Sequence, residues 1–244
     1  MRALFAPASG LLAVIALAGC DFQLPTVGAV VPSDGNTVGD LGRLELAYAG
    51  PSGSEACSSG CNLGMPLMSG DSEAITVGPH APAPLPALAF SSSDPGVLTV
   101  SPAVADGASP WERATTLTGV GVGSAVLSIR DADTQALIDT TTVRVAAAAS
   151  LAVAFQINGT ASAPVTGSAL TLDVGQEATP SFTVLGGGAE ALAGWNGVTL
   201  QVGAAGVVSL ERANDLFLTA DAAGTTTLTA VAGTVTQQIH VVVH

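Results

Sequence analysis

Lysine is absent from this 244-residue chain; its six basic residues are all arginines, namely Arg2, Arg43, Arg113, Arg130, Arg144 and Arg212. Without lysine there is no Walker A loop, no Schiff-base chemistry and no pyridoxal attachment. Scattered arginines against a formal charge of -13 form no basic patch, so nucleic acid is excluded as a partner. Electrostatic adhesion to an anionic membrane surface is excluded on the same ground. Aromatics make up only 4% of the chain and charged residues 10%. No Gly-x-Ser-x-Gly elbow occurs, which removes the nucleophile context of a hydrolase. The histidines are His80 in a proline-rich loop, His240 in the last strand and His244 at the end of the sequence. None of these belongs to a catalytic constellation, and the sequence calls for no cofactor. Long apolar runs are missing too. The stretch from Leu11 to Ala18 is far shorter than the ~20 residues a spanning helix needs.

That short apolar stretch has its own meaning. Met1 and Arg2 give a positive start, the apolar residues follow, and Leu17-Ala18-Gly19 stand directly before Cys20. This is the order of a secretory signal. A cysteine immediately after the small residues resembles the lipobox of bacterial lipoproteins. The resemblance implies that residues 1–19 are a signal peptide and that Cys20 is lipidated, attaching the protein to the membrane through acyl chains. One chain binds marginally, so a stable anchor takes more than one. Residues 20–42 contain Pro25, Pro32, Gly35 and Gly39 without a sustained period, and read as a flexible tether. Asp21 follows the cysteine, an inner-membrane retention signal in enteric bacteria. The lysine-free composition points outside that group, so the outer membrane or cell surface is placed ahead of the periplasmic face of the inner membrane.

With Cys20 assigned, Cys57 and Cys61 remain, separated by Ser58-Ser59-Gly60. An exported chain favours a disulfide between them, and so short a loop contributes roughly 2 kcal/mol. Zinc held by Cys57, Cys61 and His80 is the rival reading, short of a second ligand pair. Asp131 and Asp133 stand at alternate positions, as calcium ligands or as an acidic hairpin tip; a full calcium site takes 6–8 oxygens. Trp111, in an insertion, is a recognition aromatic or a cap on its own domain. Asn158-Gly159-Thr160 reads as a turn before a glycosylation sequon.

From Arg43 onward the pattern is that of short strands. Leu44, Leu46 and Tyr48 alternate with Arg43, Glu45 and Ala47. Runs at 74–77, 87–91, 97–101, 114–120, 124–130 and 137–145 follow, divided by Gly, Pro or Asp. Such spacing predicts a β-sandwich. The segment from Leu117 to Ser128 aligns without gaps on the segment from Leu218 to Thr229, and Gly96–Val100 matches Gly206–Leu210. An internal repeat therefore places two domains at 43–146 and 147–244, with Ala146-Ala147-Ala148-Ala149 between them as strand or linker.

Ser92-Ser93-Asp94-Pro95-Gly96-Val97-Leu98-Thr99-Val100, then Leu117-Thr118-Gly119 and Gly123-Ser124-Ala125-Val126-Leu127-Ser128-Ile129, resemble the bacterial Ig-like group 2 (BIG2) domain. The second copy keeps Leu172, Gly175 and Gly224–Leu228 but has Ala204-Ala205 in place of Ser-Asp-Pro. Trp195 is its candidate for the family's tryptophan. The resemblance implies an all-β chain of two tandem Ig-like β-sandwich domains after a signal peptide and short tether. It implies a surface or adhesion role, binding an unknown protein or glycan partner or acting as a spacer. A structural subunit of a larger envelope assembly is the alternative, and an enzyme with an unrecognised site the third reading.

Overall fold

The computed structural model describes residues 35–49, 61–81, 84–102, 104–105, 111–157, 160–164, 169–212 and 216–244. The signal peptide, Cys20, Cys57 and the Asn158-Gly159 pair lie outside the described residues. Everything regular among the described residues is strand.

The first copy contains β1 (Thr37–Val38), β2 (Leu44–Tyr48), β3 (Cys61–Asn62), β4 (Leu67–Met68), β5 (Ser72–Pro79), β6 (Leu88–Ser92), β7 (Leu98–Val100), β8 (Val104–Ala105), β9 (Arg113–Gly119), β10 (Gly123–Asp131) and β11 (Leu137–Ala146). Its two sheets run β1-β2-β5-β9-β7 and β4-β11-β10-β6. The second copy contains β12 (Ser150–Ile157), β13 (Thr160–Pro164), β14 (Ala169–Leu172), β15 (Glu177–Leu185), β16 (Val198–Val202), β17 (Val208–Arg212), β18 (Leu216–Ala220), β19 (Gly224–Ala232) and β20 (Val235–Val243). Here the orders are β13-β12-β15-β18-β17 and β14-β20-β19-β16. In both copies the central strands follow the A-B-E-D and G-F-C arrangement of an immunoglobulin sandwich. An extra short strand, β4 or β14, pairs in parallel with the last strand of its copy. The chain is all-β and folds as two Ig-like sandwiches in series.

Alternation explains the cores. In β10, Ala125, Leu127 and Ile129 point inward while Ser124 and Val126 face out. Strand β20 buries Ile239, Val241 and Val243 and leaves His240 exposed. Each sandwich closes its own apolar cluster from such positions.

The sequence repeat recurs as a repeat of backbone bonds. Val120 N donates to Val97 O, and Asp221 N donates to Val207 O. Gly70 N donates to Gly119 O, as Gly175 N does to Ala220 O. The polyalanine stretch divides as β11 up to Ala146, a short connection, and β12 from Ser150.

The tether expected at residues 20–42 lies outside the described residues up to residue 34. Residues 35–42 are part of the first sandwich: β1 pairs with β2, and the turn after it wraps the buried carboxylate of Asp139. Asp139 accepts the backbone N–H of Leu41, Arg43, Leu44 and Thr140, each at 2.8–2.9 Å. A Cβ on Gly39 would overlap that carboxylate, so glycine is needed there. Burial alone pushes the Asp139 carboxyl up, but its four N–H donors outweigh that and hold it below the usual carboxylate range.

Candidate functional site

The residues placed most unlike an ordinary sandwich are those where the two copies meet. Strand β4 is only two residues long, yet both its edges are used. One edge pairs with β11. On the other, Met68 N donates to Ala193 O at 2.7 Å and Ala193 N donates to Pro66 O at 2.8 Å. Ala193 lies in the β15–β16 connection, which holds to its own sandwich through Leu192 N to Val184 O at 2.9 Å. Backbone hydrogen bonding therefore runs unbroken from a sheet of the first sandwich to a sheet of the second.

Side chains cross the same boundary in both directions. Met68 is buried in the apolar cluster of the second sandwich. Ala193 belongs to the cluster of the first, with Ala191 and Trp195 packed against it. Two glycines permit this approach. A Cβ on Gly194 would sit 2.6 Å from Met68 Cβ, and one on Gly197 would sit 2.6 Å from Met68 Cε and 2.9 Å from Asp71 Cγ.

Glu73 lies at the centre. The period of β5 puts it on the core face with Ile75 and Val77, and it is 1% exposed. Its Oε1 accepts Trp195 N at 2.8 Å and Asn196 N at 3.2 Å, while Oε2 accepts Asn196 Nδ2 at 2.8 Å. Asn196 Nδ2 also donates to Ser72 O at 3.1 Å. Beside it, Asp71 is buried; its Oδ1 accepts Ser72 N, whereas Oδ2 has no hydrogen-bond partner. The hydroxyl of Tyr48 is likewise buried and unpartnered. Burial, opposed by the Asn196 N–H and reinforced by the Asp71 carboxylate, raises the Glu73 carboxyl to about 7. Burial, and then the charge of Glu73, push the Tyr48 phenol up.

An open groove of about 470 Å³ follows the same junction, lined by Val122, Arg144, the 146–149 connection and Glu190 among others. Arg144 and Glu190 approach across it to 3.9 Å. At the groove, Val122 is 66% exposed.

The residues singled out from sequence are dispersed. Cys61 is buried in β3, against β2. His80 Nδ1 meets Glu45 Oε1 at 2.8 Å on the surface. Asp131 Oδ1 accepts the N–H groups of Asp133 and Thr134, so that carboxylate closes its own hairpin turn and its carboxyl is lowered, chiefly by the Thr134 N–H. Among the described residues, no three His, Cys, Asp or Glu side chains gather where they could hold a metal ion. Trp111 is 43% exposed. Trp195, the candidate for the second sandwich's own tryptophan, packs instead on the first sandwich's cluster. Its backbone is drawn there by Glu73, so it serves the junction.

Sequence reasoning missed Glu73, Asp71 and Met68. The alternation Glu73-x-Ile75-x-Val77 was the available signal, since it puts a carboxylate on a core face. The equivalent positions in the second copy show how specific the set is. Matching backbone bonds align Met68 with Asp173 and Asp71 with Gln176, and the strand partners Leu117 and Leu218 align Glu73 with Ala178. There, Gln176 and Asp173 bond to each other at the exposed end.

No known family profile matches the chain, and no curated protein matches it either. Among solved structures, it is similar to domains 5–6 of the S-layer protein SbsC, with 19% identity over 73% of this chain and 92% of that one, at a TM-score of 0.35. It is similar to the Escherichia coli adhesin FdeC, with 15% identity over 86% of this chain and 66% of that one, at 0.31. A C-terminal fragment of intimin in complex with the intimin-binding domain of its receptor gives 16% identity over 71% and 60%, at 0.29. These overlaps are loose, and the fold rests on the chain's own strand pairing.

Proposed function

We propose that this chain is a lipid-anchored, non-enzymatic protein of the cell envelope, whose two sandwiches project from the membrane as a spacer or adhesion module. The observation that carries the reading is the junction. Backbone pairing of β4 with Ala193, the exchange of Met68 and Trp195 between clusters, and the Glu73 bonds make a stiff joint. A stiff joint suits a part that holds a binding surface away from a membrane and is not needed by two domains merely sharing a chain. The anchor is Cys20, on the strength of Leu17-Ala18-Gly19 before it. The outer membrane or cell surface is its place, and an unidentified protein or glycan its partner. Residues 43–146 and 147–244 are the two folding units, the first extended at its start by residues 35–42. Cys57 and Cys61 form a disulfide; the support is their spacing and the burial of Cys61.

Replacing Cys20 with Ser tests the anchor. The variant is expected to leave the detergent phase and to keep its leader, and a wild-type mature mass without acyl chains overturns the reading. Non-reducing peptide mapping tests the bridge, which two free thiols would refute. Crosslinking in whole envelopes separates the roles. A partner lost on washing supports adhesion, whereas one stable stoichiometric partner supports a subunit of a fixed assembly.

A further inference from the structure

We infer that Asn196-Gly197 is a deamidation site guarded by docking. The junction holds the Asn196 carboxamide out of reaction while the sandwiches are together, and the product formed once they part cannot dock again. The inference rests on the joint and is independent of the anchor and of the partner. Asparagine is among the heat-labile residues. Followed by glycine it is at its least hindered, because no side chain shields the attacking nitrogen. The Gly197 nitrogen attacks Asn196 Cγ, a C–N bond forms, and Nδ2 leaves as ammonia with the Gly197 amide proton, giving a succinimide. Water then opens the ring. Cleavage at Cγ gives aspartate on the original main chain; cleavage at the main-chain carbonyl gives isoaspartate, whose chain runs through Cβ and Cγ.

The joint itself places this labile pair. Glycine is needed at 197, where a Cβ would sit 2.6 Å from Met68 Cε and 2.9 Å from Asp71 Cγ. Asparagine at 196 serves as a double donor: Nδ2 gives one proton to Glu73 Oε2 at 2.8 Å and the other to Ser72 O at 3.1 Å. The two residues form the centre of a turn closed by Val198 N to Trp195 O at 3.4 Å. Asn196 is exposed, so water reaches it.

Ring closure needs Asn196 Cγ against the nitrogen of its own chain neighbour. In the docked state the carboxamide reaches across to β5 instead, and ammonia could leave only by breaking the bonds to both Ser72 and Glu73. Glu73 Oε1 also accepts the Trp195 and Asn196 N–H groups, which pins the backbone leading into the turn. Reaction is therefore confined to the undocked fraction, as for any chemistry that needs local opening. The product turns the contact from attractive to repulsive. An aspartate at 196 sets acceptors against two acceptors, Ser72 O and Glu73 Oε2, and adds a carboxylate to a site that already holds Asp71 and Glu73. Isoaspartate lengthens the main chain just where Gly197 has no room against Met68.

Peptide mapping of the whole protein after incubation in warm, mildly alkaline buffer tests this, with aspartate and isoaspartate at 196 resolved by chromatography. A synthetic peptide of residues 192–200 gives the unguarded rate, and Asn158-Gly159, the chain's other such pair, is a reference within each sample. Asn196 in the wild type is expected to convert more slowly than in the peptide by about tenfold or more. Glu73→Ala and Ala193→Pro should each bring it toward the peptide rate, while Asn158 converts as in the wild type. Asn196→Asp, which copies one product, should lose amide-exchange protection at Ala193 and Trp195, with the core amides of Leu127 and Leu228 still protected. Wild-type conversion at the peptide rate overturns the inference. So does conversion that stays slow in both variants, which would assign the slowness to the turn alone. An Asn196→Asp protein docked as firmly as the wild type overturns it too. Should the core amides show that Glu73→Ala is unfolded, Ala193→Pro decides alone, and slow conversion there overturns the inference.

Discussion

Two buried carboxylates set the residue scale, and they shift in opposite directions: four N–H donors outweigh burial at Asp139, whereas at Glu73 burial, reinforced by Asp71, outweighs its donors. Asp139 is met by four backbone N–H groups of its own sandwich, so its charge is welcome. Asp139→Ala would leave those N–H groups without an acceptor where the chain enters the fold. We expect a loss of about 3 kcal/mol, read from denaturant unfolding at pH 7. Because folding lowers this carboxyl, its contribution is present above its unfolded value near 3.8 and is lost as pH falls through the still lower folded value. Asp139→Asn should therefore flatten the acid limb of the stability profile below about pH 4. An unchanged acid limb in that variant would show that other carboxylates control it. Neither Asp139 nor Glu73 stood out from the sequence, for the same physical reason. Alternation identifies a core face from its apolar members, and an acid on that face is noticed only when its distant donors, Leu41, Arg43 and Leu44 for Asp139 and Trp195 and Asn196 for Glu73, are in view.

At the scale of elements, the longer strands were legible and the two-residue ones were not. Strands β5, β9, β10 and β11 each carry several alternations, enough to fix which face is buried. A strand such as β1 or β4 has no period of its own and exists because a neighbour supplies its bonds. Hence residues 35–42 read as tether, although Asp139 and β2 hold them in the sheet. The repeat was readable because its glycines are fixed by packing. A Cβ on Gly123 would come within 3.0 Å of Val97 Cγ2, and one on Gly224 within 3.2 Å of Val207 Cγ2. These are the same valines whose carbonyls hold the turn just before the glycine in each copy. Gly123→Ala and Gly224→Ala should each cost about 1–2 kcal/mol, with Gly123→Ala the larger because its contact is tighter. Calorimetry on each variant checks this, and neutral substitutions would mean that the valines yield freely. The junction shows the limit of the repeat: the copies match in backbone bonds, yet Met68, Asp71 and Glu73 are replaced in the second by Asp173, Gln176 and Ala178.

For the whole molecule, the question is whether two sandwiches with separate cores unfold separately. Each has its own sheets and cluster, so residues 35–146 and 147–244 should each fold alone with a β-type spectrum. Each should also be less stable than in the intact chain, because Met68 fills a cluster of the second sandwich and Ala193 one of the first. A buried methionine removed from its site costs roughly 2–5 kcal/mol, large against the marginal stability of a domain of ~100 residues. That coupling predicts one cooperative transition for the intact protein. Ala193→Pro is the sharpest probe of it. The substitution deletes the N–H that reaches Pro66 O and puts a ring where β4 needs a flat partner, while leaving every strand of both sandwiches intact. Scanning calorimetry of this variant should resolve two transitions, the second sandwich's shifted down, where the wild type gives one. If the wild type itself unfolds in two well-separated steps, the contacts at β4 and Glu73 do not couple the domains, and the joint is a hinge.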